Sequence, residues 1–205
     1  MTIELHTWNT PNGRKISVAL EEMGLPYKVV PVNISKGEQM APPFLAISPN
    51  NKIPAIVDPD GPDGQRVSVF ESGAILLYLG EKTGKFLPKP LIERIPVYEW
   101  LMWQMGGFGP MPGQVHHFIA LENEQERAYG LKRYMAETRR LYGELDRRLA
   151  GRAISVSYQR PTFGKSENST LWRGCRQAQP RMAKSATESA SATKSRPARR
   201  RSSTP

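Results

Sequence analysis

Cysteine is nearly absent from this chain: its 205 residues include one, Cys175. A single cysteine cannot build an intrachain disulfide framework or a four-cysteine zinc site. It also cannot form a Cys-x-x-Cys redox motif. Any thiol chemistry in residues 1–150, which we call the body of the chain, would therefore depend on a thiol that the ligand brings.

Long apolar runs are missing as well. The longest compact one covers residues 74–79, far short of the roughly 18 residues that a membrane-spanning helix needs. The first nine residues carry Glu4 and no basic residue, which is not the pattern of a secretory signal peptide. We expect a cytoplasmic protein.

The net charge of +10 is unevenly distributed along the chain. Residues 151–205 hold 12 lysines and arginines against 2 acidic residues, whereas residues 1–150 hold 17 of each sign. The basic character therefore belongs to the last quarter of the chain. The high pI says little about what the body binds.

Hydrophobic periodicity in the first 87 residues predicts four strands and at least two helices. Strands are predicted at residues 3–7, 27–32, 53–57 and 67–70, the last two as a hairpin. Apolar residues at 16, 19, 20 and 23 predict a helix that ends at Gly24, and a second helix begins at residues 71–73. The order is β-α-β, an irregular segment, then β-β-α, which is compatible with a thioredoxin-like layer.

Helical patterns follow from Pro90 onwards. The Gly- and Pro-rich segment 106–113 should interrupt them, and a long helix is predicted from about Glu124 to Ala150. We expect the apolar stripes of these helices to be core. They comprise Ile95, Tyr98, Met102 and Met105, and then Tyr134, Leu141, Leu145 and Leu149.

Residues 151–205 differ in composition, with 15 serines and threonines and scattered apolar residues. This segment is typical of a disordered, basic, low-complexity tail. Its lysines and arginines, among them residues 199–201, would bind nucleic acid phosphates only non-specifically. Because the change in composition is abrupt, our hypothesis is that the segment results from a frameshift or an aberrant gene model, in which case such binding is accidental.

Four segments of the body carry a family resemblance: TPNGRKISVALEEMGLPY, FLAISPNNKIPAIVD, FESGAILLYLGEKTG and WLMWQMGGFGPMPGQVHHF. Over about residues 1–150 the chain resembles the glutathione transferase superfamily. It is most similar to the bacterial Nu-class, disulfide-bond-oxidoreductase branch that is related to fungal Ure2-like proteins.

The resemblance implies a β-α-β-α-β-β-α thioredoxin-like glutathione-binding domain over residues 1–87. An incomplete all-helical domain would follow over residues 88–152, and the tail would cover 153–205. In the intact family a further buried helix follows the long one. We therefore expect Leu141, Leu145 and Leu149 to be partly exposed and the protein to be marginally stable or prone to aggregate.

The turn at Thr10 and Asn12 is the candidate catalytic site. Backbone N–H groups and the positive end of a helix favour an anion there and can lower the pKa of a thiol. The Thr10 hydroxyl or the Asn12 amide would donate a hydrogen bond to the glutathione thiolate. On spacing alone an ordinary helix cap is the better explanation, and it is the resemblance that favours the catalytic role.

By resemblance, the remaining glutathione contacts are distributed over several segments. Ile53 would pair its main chain with the cysteinyl backbone beside a cis bond to Pro54, and Glu71 and Ser72 would hold the γ-glutamyl end. The other matching positions are Gln39 and Lys52, near the glycyl end or the peptide backbone, and Arg133. On the residues alone, Glu71 and Ser72 are also explained as capping residues, Lys52 as a surface lysine and Arg133 as a solvated helix charge.

The resemblance implies a glutathione-dependent enzyme in which the thiolate of bound glutathione attacks a disulfide or an electrophile, without a protein cysteine or a metal. It also implies a homodimer built largely from residues 90–150. A non-catalytic glutathione-binding or regulatory protein, or an inactive damaged relative, is the alternative. His116 and His117 are adjacent and make a poor metal pair, so we interpret them as structural.

Overall fold

A four-stranded mixed sheet organises the first half of the chain. The computed structural model describes residues 2–150, all within one compact unit. The strands are β1 (Ile3–Thr7), β2 (Tyr27–Pro31), β3 (Ala55–Asp58) and β4 (Val67–Phe70), in the spatial order β2-β1-β3-β4. β1 pairs with β2 in parallel and with β3 antiparallel, and β3 and β4 form the predicted antiparallel hairpin.

Two helices pack against this sheet, α1 (Pro11–Met23) and α3 (Ser72–Thr83), while a short helix α2 (Pro42–Leu45) follows two 3₁₀ turns. α1 begins at the Thr10 cap with proline at its first position, and it ends at Gly24 in the left-handed region with φ +70°, as N-terminal proline and C-terminal glycine favour. The main core lies between the sheet and these helices; its fully buried members are Leu5, Ile16, Leu20, Ile56, Ile75 and Leu79.

The order of elements confirms the β-α-β-α-β-β-α thioredoxin-like pattern. Three strand boundaries differ from the sequence prediction. β3 covers Ala55–Asp58 instead of residues 53–57 and follows the cis Ile53–Pro54 peptide, and β2 ends at Pro31, one residue early. The division at residues 87 and 152 remains a prediction.

The second half is helical: α4 (Leu91–Trp103), α5 (Pro110–Ile119) and α6 (Glu124–Leu149). The predicted interruption is present, but it is a single π-helical turn, Gln104–Phe108, which the Gly109 N–H closes on the Gln104 carbonyl at 2.8 Å. The prolines at 110 and 112 then lie in the first turn of α5, where a missing N–H costs little.

The predicted buried face of α4 is wrong. Ile95 and Met102 are 41% and 54% exposed, whereas Val97 and Leu101 are buried. The helix sequence LIERIPVYEWLMW is apolar on more than one side, so its periodicity did not distinguish the inner face from the outer one.

The prediction for α6 is correct in its bounds and partly wrong in its exposure. Leu141 is 1% exposed, contrary to expectation, because it packs against the π-helical turn at Gly107. Leu145 and Leu149 are partly exposed, as expected. The opposite face carries ion pairs such as Arg140–Glu137 at 2.7 Å.

The predicted tail, its nucleic acid contacts and Cys175 lie outside the described residues. Among residues 2–150, no helix combines the length and the hydropathy required to cross a bilayer.

Candidate functional site

One end of the sheet gathers most of the predicted glutathione residues. His6 near the end of β1 pairs with Ala55 at the start of β3, and Ala55 pairs with Phe70 at the end of β4. The turn after β1, the peptide before β3 and the start of α3 therefore meet at the same edge. α1 and α3 both begin there, so the positive ends of two helix dipoles face one region.

Thr10 forms the cap of α1. Its Oγ1 accepts from the Gly13 N–H at 3.2 Å, which is the capping role that the spacing allowed, and the hydroxyl hydrogen is not used by this bond. Asn12 lies in the exposed first turn. Gly13 is required in this turn, because a Cβ there would lie 2.2 Å from Thr7 Oγ1 and 2.5 Å from the Trp8 carbonyl.

The peptide before β3 has the cis bond that the resemblance implied, between Ile53 and Pro54. Pro54 is buried, and Ile53 packs against the small cluster of Val32, Phe44 and Ala55. The side chain of Lys52 is exposed at the same edge, while its carbonyl accepts from the Ser48 hydroxyl at 2.8 Å.

Gln39 lies in the 3₁₀ turn that follows β2. Because β2 runs parallel to β1, this segment leaves the sheet at the same end as the other predicted residues. Gln39 Oε1 is buried and has no hydrogen-bond partner among the described residues. A buried acceptor without a donor is costly, and a ligand N–H would relieve that cost.

The start of α3 combines a strained residue with an open helix terminus. Glu71 has φ +67°, and no side chain of the described residues caps the helix. Positive φ in a non-glycine residue is uncommon and tends to occur at functional sites. The Glu71 carboxylate accepts from Asn50 Nδ2 at 3.1 Å, and Ser72 is 3% exposed.

Lys15 is a residue of this region that the sequence analysis missed. From α1 its Nζ donates to Ser72 Oγ at 2.9 Å and to Gln104 Oε1 at 2.8 Å, and it lies 3.7 Å from Met105 Sδ. It therefore joins both helix starts to the π-helical turn. Burial lowers the pKa of Lys15 to about 8, although the Glu71 carboxylate acts to raise it.

Met105 of the π-helical turn lies against Lys15 and the start of α3, and we call this contact the junction. A Cβ at Gly73 would lie 2.9 Å from Met105 Cγ, so glycine is what lets the π-helical turn approach α3. A signal for Lys15 existed in the sequence: it lies four residues before Ala19 and next to Ile16, at the edge of the buried stripe of α1. Nothing in the sequence pattern indicated its partners.

Within residues 2–150, no contact brings Arg133 to the site. It is exposed on α6, with its guanidinium 6.0 Å from the centroid of the Tyr134 ring. His116 and His117 are exposed on α5. The described part of the chain has no group of three or more histidine, cysteine or acidic side chains placed to hold a metal ion.

Comparison with known proteins agrees with this geometry. The family model of the glutathione S-transferase N-terminal domain matches residues 10–82. The disulfide-bond oxidoreductase YfcG of Escherichia coli K12 is 53% identical over 148 residues, which are 72% of this chain and 68% of YfcG. The chain belongs to the glutathione transferase family. The predicted resemblance is thereby confirmed.

Two further proteins show how wide the similarity is. A crystal structure of a Pseudomonas putida glutathione transferase, with one glutathione disulfide bound per subunit, is 46% identical with a TM-score of 0.71. The match covers 77% of this chain and 69% of that one. The transcriptional regulator URE2 of Saccharomyces cerevisiae is 37% identical over 70% of this chain and 41% of its own length.

Proposed function

We propose that this protein binds glutathione at the sheet end and uses the glutathione thiolate to reduce disulfides. The observation that carries the proposal is the meeting of the α1 start, the cis Ile53–Pro54 peptide and the Glu71–Ser72 helix start at one edge. The P. putida relative with glutathione disulfide bound supports a reaction of the disulfide type. Attack on a carbon electrophile is the second reaction open to the same thiolate.

The proposed binding mode uses each segment for one part of the tripeptide. The uncapped N–H groups of α3 and the Ser72 hydroxyl hold the γ-glutamyl carboxylate, and the Glu71 carboxylate accepts from the amine. The Ile53 main chain pairs with the cysteinyl residue. Gln39 and Lys52 face the glycyl end, where the lysine charge suits a carboxylate.

Thr10 and Asn12 then stabilise the thiolate. The Thr10 hydroxyl or the Asn12 amide donates to sulfur, and the α1 dipole favours the negative charge, which lowers the thiol pKa. Neither side chain acts as a base near neutral pH. We include Arg133 as a glutathione contact on the resemblance alone. Such a contact requires α6 to lie close to the bound ligand.

The disulfide reaction balances without a protein cysteine. The bound thiolate attacks one sulfur of the substrate, forms a mixed disulfide with glutathione and releases the other half as a thiolate. A second glutathione thiolate attacks the mixed disulfide, yields glutathione disulfide and releases the second half. Two protons that the glutathiones lost end on the two product thiols.

Turnover of the purified full chain tests this function directly. Bis(2-hydroxyethyl) disulfide and glutathione are the substrates, and glutathione disulfide formation is followed through glutathione reductase and NADPH. We expect a rate that depends on the chain and saturates with glutathione. Failure to exceed the uncatalysed rate, while glutathione still binds, would favour the binding-protein alternative that the similarity to URE2 supports.

A matched pair of variants tests the role of Thr10. Aspartate and asparagine both cap helices well, so Thr10→Asp and Thr10→Asn should both melt near the parent temperature. The aspartate repels the thiolate, and the asparagine keeps a donor. We expect kcat/KM to fall at least about tenfold in Thr10→Asp and less in Thr10→Asn, because about 1.4 kcal/mol of lost stabilisation is a factor of ten. Equal rates in the two variants would remove Thr10 from the mechanism.

A homodimer is part of the same proposal. α4 presents Leu91 and Ile92 at 67% and 75% exposure, next to the exposed Ile95 and Met102. A face of this kind is typical of a protein–protein contact. Light scattering during gel filtration should give twice the chain mass; a monomer at all concentrations would contradict the dimer without affecting glutathione binding.

A further inference from the structure

The Lys15 ammonium carries a charge that no acidic side chain in the described part of the chain neutralises. Its three N–H donors are directed at Ser72 Oγ, Gln104 Oε1 and Met105 Sδ, all neutral acceptors. Within residues 2–150, no carboxylate oxygen lies within 4.0 Å of its Nζ. Buried charges are normally paired. This half-buried cation, in contrast, has no ion-pair partner within residues 2–150.

Glu71 is the charged side chain that acts on Lys15, yet it makes no ion pair with it. Its carboxylate is engaged by Asn50 Nδ2 at 3.1 Å. Burial lowers the pKa of Lys15 to about 8, against the effect of Glu71, which raises it. Because this pKa is still above 7, most of the ammonium remains charged at neutral pH.

Lys15 also controls the hydrogen-bonding direction of Ser72. Because Ser72 Oγ accepts from the ammonium, its own hydrogen must point elsewhere, and in the structure it points to Met105 Sδ at 3.4 Å. A thioether sulfur is a weak acceptor. A carboxylate oxygen that replaced the sulfur would gain a stronger bond from the hydroxyl, and the uncapped N–H groups of α3 lie beside it.

We propose that Lys15 is a positioning residue that makes the α3 end of the site selective for a carboxylate. It holds the Ser72 hydroxyl as a donor and supplies the positive charge that the γ-glutamyl carboxylate neutralises. This inference rests on the proposed glutathione function and names a residue that adds to it. The competing role is mechanical: Lys15 would only tie α1 to the π-helical turn through Gln104.

A binding cycle separates the two roles. Lys15→Met removes the charge and keeps an unbranched, flexible side chain that is one atom shorter. Calorimetry compares the full chain and this variant with S-methylglutathione, and with the analogue in which 4-aminobutanoate replaces the glutamyl group, so that the α-carboxylate is missing. We expect the substitution to weaken S-methylglutathione at least about tenfold and the analogue less than twofold. Lys28→Met, the same change on an exposed lysine of β2, should alter neither affinity.

The contrary outcomes are distinct. Equal losses for both ligands would show that Lys15 supports the fold of the site and would overturn the proposal, as would no loss for S-methylglutathione. If the parent chain binds neither ligand, the glutathione function itself fails and this role falls with it. If the parent binds S-methylglutathione and Lys15→Met binds it equally well, only the role of Lys15 is overturned.

A second measurement needs no variant. Glutaryl-S-methylcysteinylglycine keeps the carboxylate and lacks both the amine and the thiol. Its binding should be accompanied by proton uptake at pH 8.5, measured in two buffers of different ionisation enthalpy, because a bound carboxylate favours the charged form of Lys15. Of the groups around Lys15, Ser72, Gln104 and Met105 do not titrate in this range, and the Glu71 carboxylate acts on the Lys15 charge with or without the ligand. Binding without uptake would overturn the proposal.

Discussion

The sheet half, residues 2–87, and the helical half, residues 88–150, differ greatly in how many of their apolar side chains are buried. Of the 17 buried apolar residues, 13 lie in residues 2–87 and four in residues 88–150, while seven of the 13 exposed large apolar residues lie in the second half. The sheet half carries its own core together with most of the proposed glutathione residues. The helical half presents apolar surface that no residue in the described range 2–150 covers. Ligand binding should therefore depend mainly on the first half and assembly on the second.

The largest expected effect is from a core substitution in the sheet half. Leu20 is fully buried and Ile92 is 75% exposed. Leu20→Ala should cost about 2–5 kcal/mol of unfolding free energy, whereas Ile92→Ala should change it by less than about 0.5 kcal/mol. Urea denaturation at a low protein concentration, where dimers dissociate, measures both. Equal costs would contradict the contrast between the halves.

A substitution at the junction should have the next largest effect. Gly73→Ala places a Cβ 2.9 Å from Met105 Cγ, so it should destabilise by about 1–3 kcal/mol through overpacking and weaken glutathione binding by shifting the start of α3. Gly113→Ala is the matched control. It lies in α5 with nothing within 4 Å of the new Cβ, and it should be neutral or stabilising. Thermal melts with and without glutathione distinguish them, and a neutral Gly73→Ala would show that the junction is loose.

A buried carboxylate in the sheet half predicts a dependence on acid pH. Asp58 is 2% exposed; burial alone would raise its pKa, but hydrogen bonds from Tyr78 at 2.7 Å and from Lys82 outweigh that effect and lower it. Tyr78→Phe removes one donor and should cost about 1–3 kcal/mol at neutral pH. Since a lowered carboxyl pKa stabilises the fold above the unfolded value of about 3.9, the cost should diminish as the pH falls below about 4. A cost that stays constant from pH 7 to pH 3 would exclude the ionised carboxylate as its cause.

A last effect is expected from the charge of Lys15 in the absence of ligand. Its pKa is about 8 in the folded chain and about 10.4 in an unfolded one. Between these values the unfolded chain binds more protons, so stability rises with pH there. The unfolding free energy of the parent relative to Lys15→Met should therefore increase from about pH 8 to pH 10. A difference that decreases with pH over this range would contradict the burial of the charge.

Local patterns predicted α1 well because this helix has one buried apolar side. The stripe at Ile16 and Leu20, the cap at Thr10 and Gly24 at the C-terminus of α1 agree with one another. α4 lacked such agreement, since Ile95 and Val97 are both apolar and only tertiary packing selects between them. Packing also explains why Leu141 is buried: it lies against Gly107, which sequence spacing does not reveal.

The positions of some candidate site residues could be predicted because the backbone around them fixes where they lie. Pro54 and the Glu71–Ser72 helix start lie at the sheet end because strand register places them there. Lys15 was missed because its role depends on Ser72 and Gln104, which are distant in sequence. Arg133 remains a prediction, as no contact in the structure joins it to the sheet end.

Thermal unfolding of the full chain with millimolar glutathione tests the central claim most directly. If the sheet half retains its binding site, the transition should be cooperative and its midpoint should rise with ligand, by about 2.7 kcal/mol of added stability at 100 times the dissociation constant. The peptide Glu-Cys-Gly with an ordinary α-linkage serves as the matched ligand and should give a smaller rise. A cooperative transition that glutathione does not move would contradict the account.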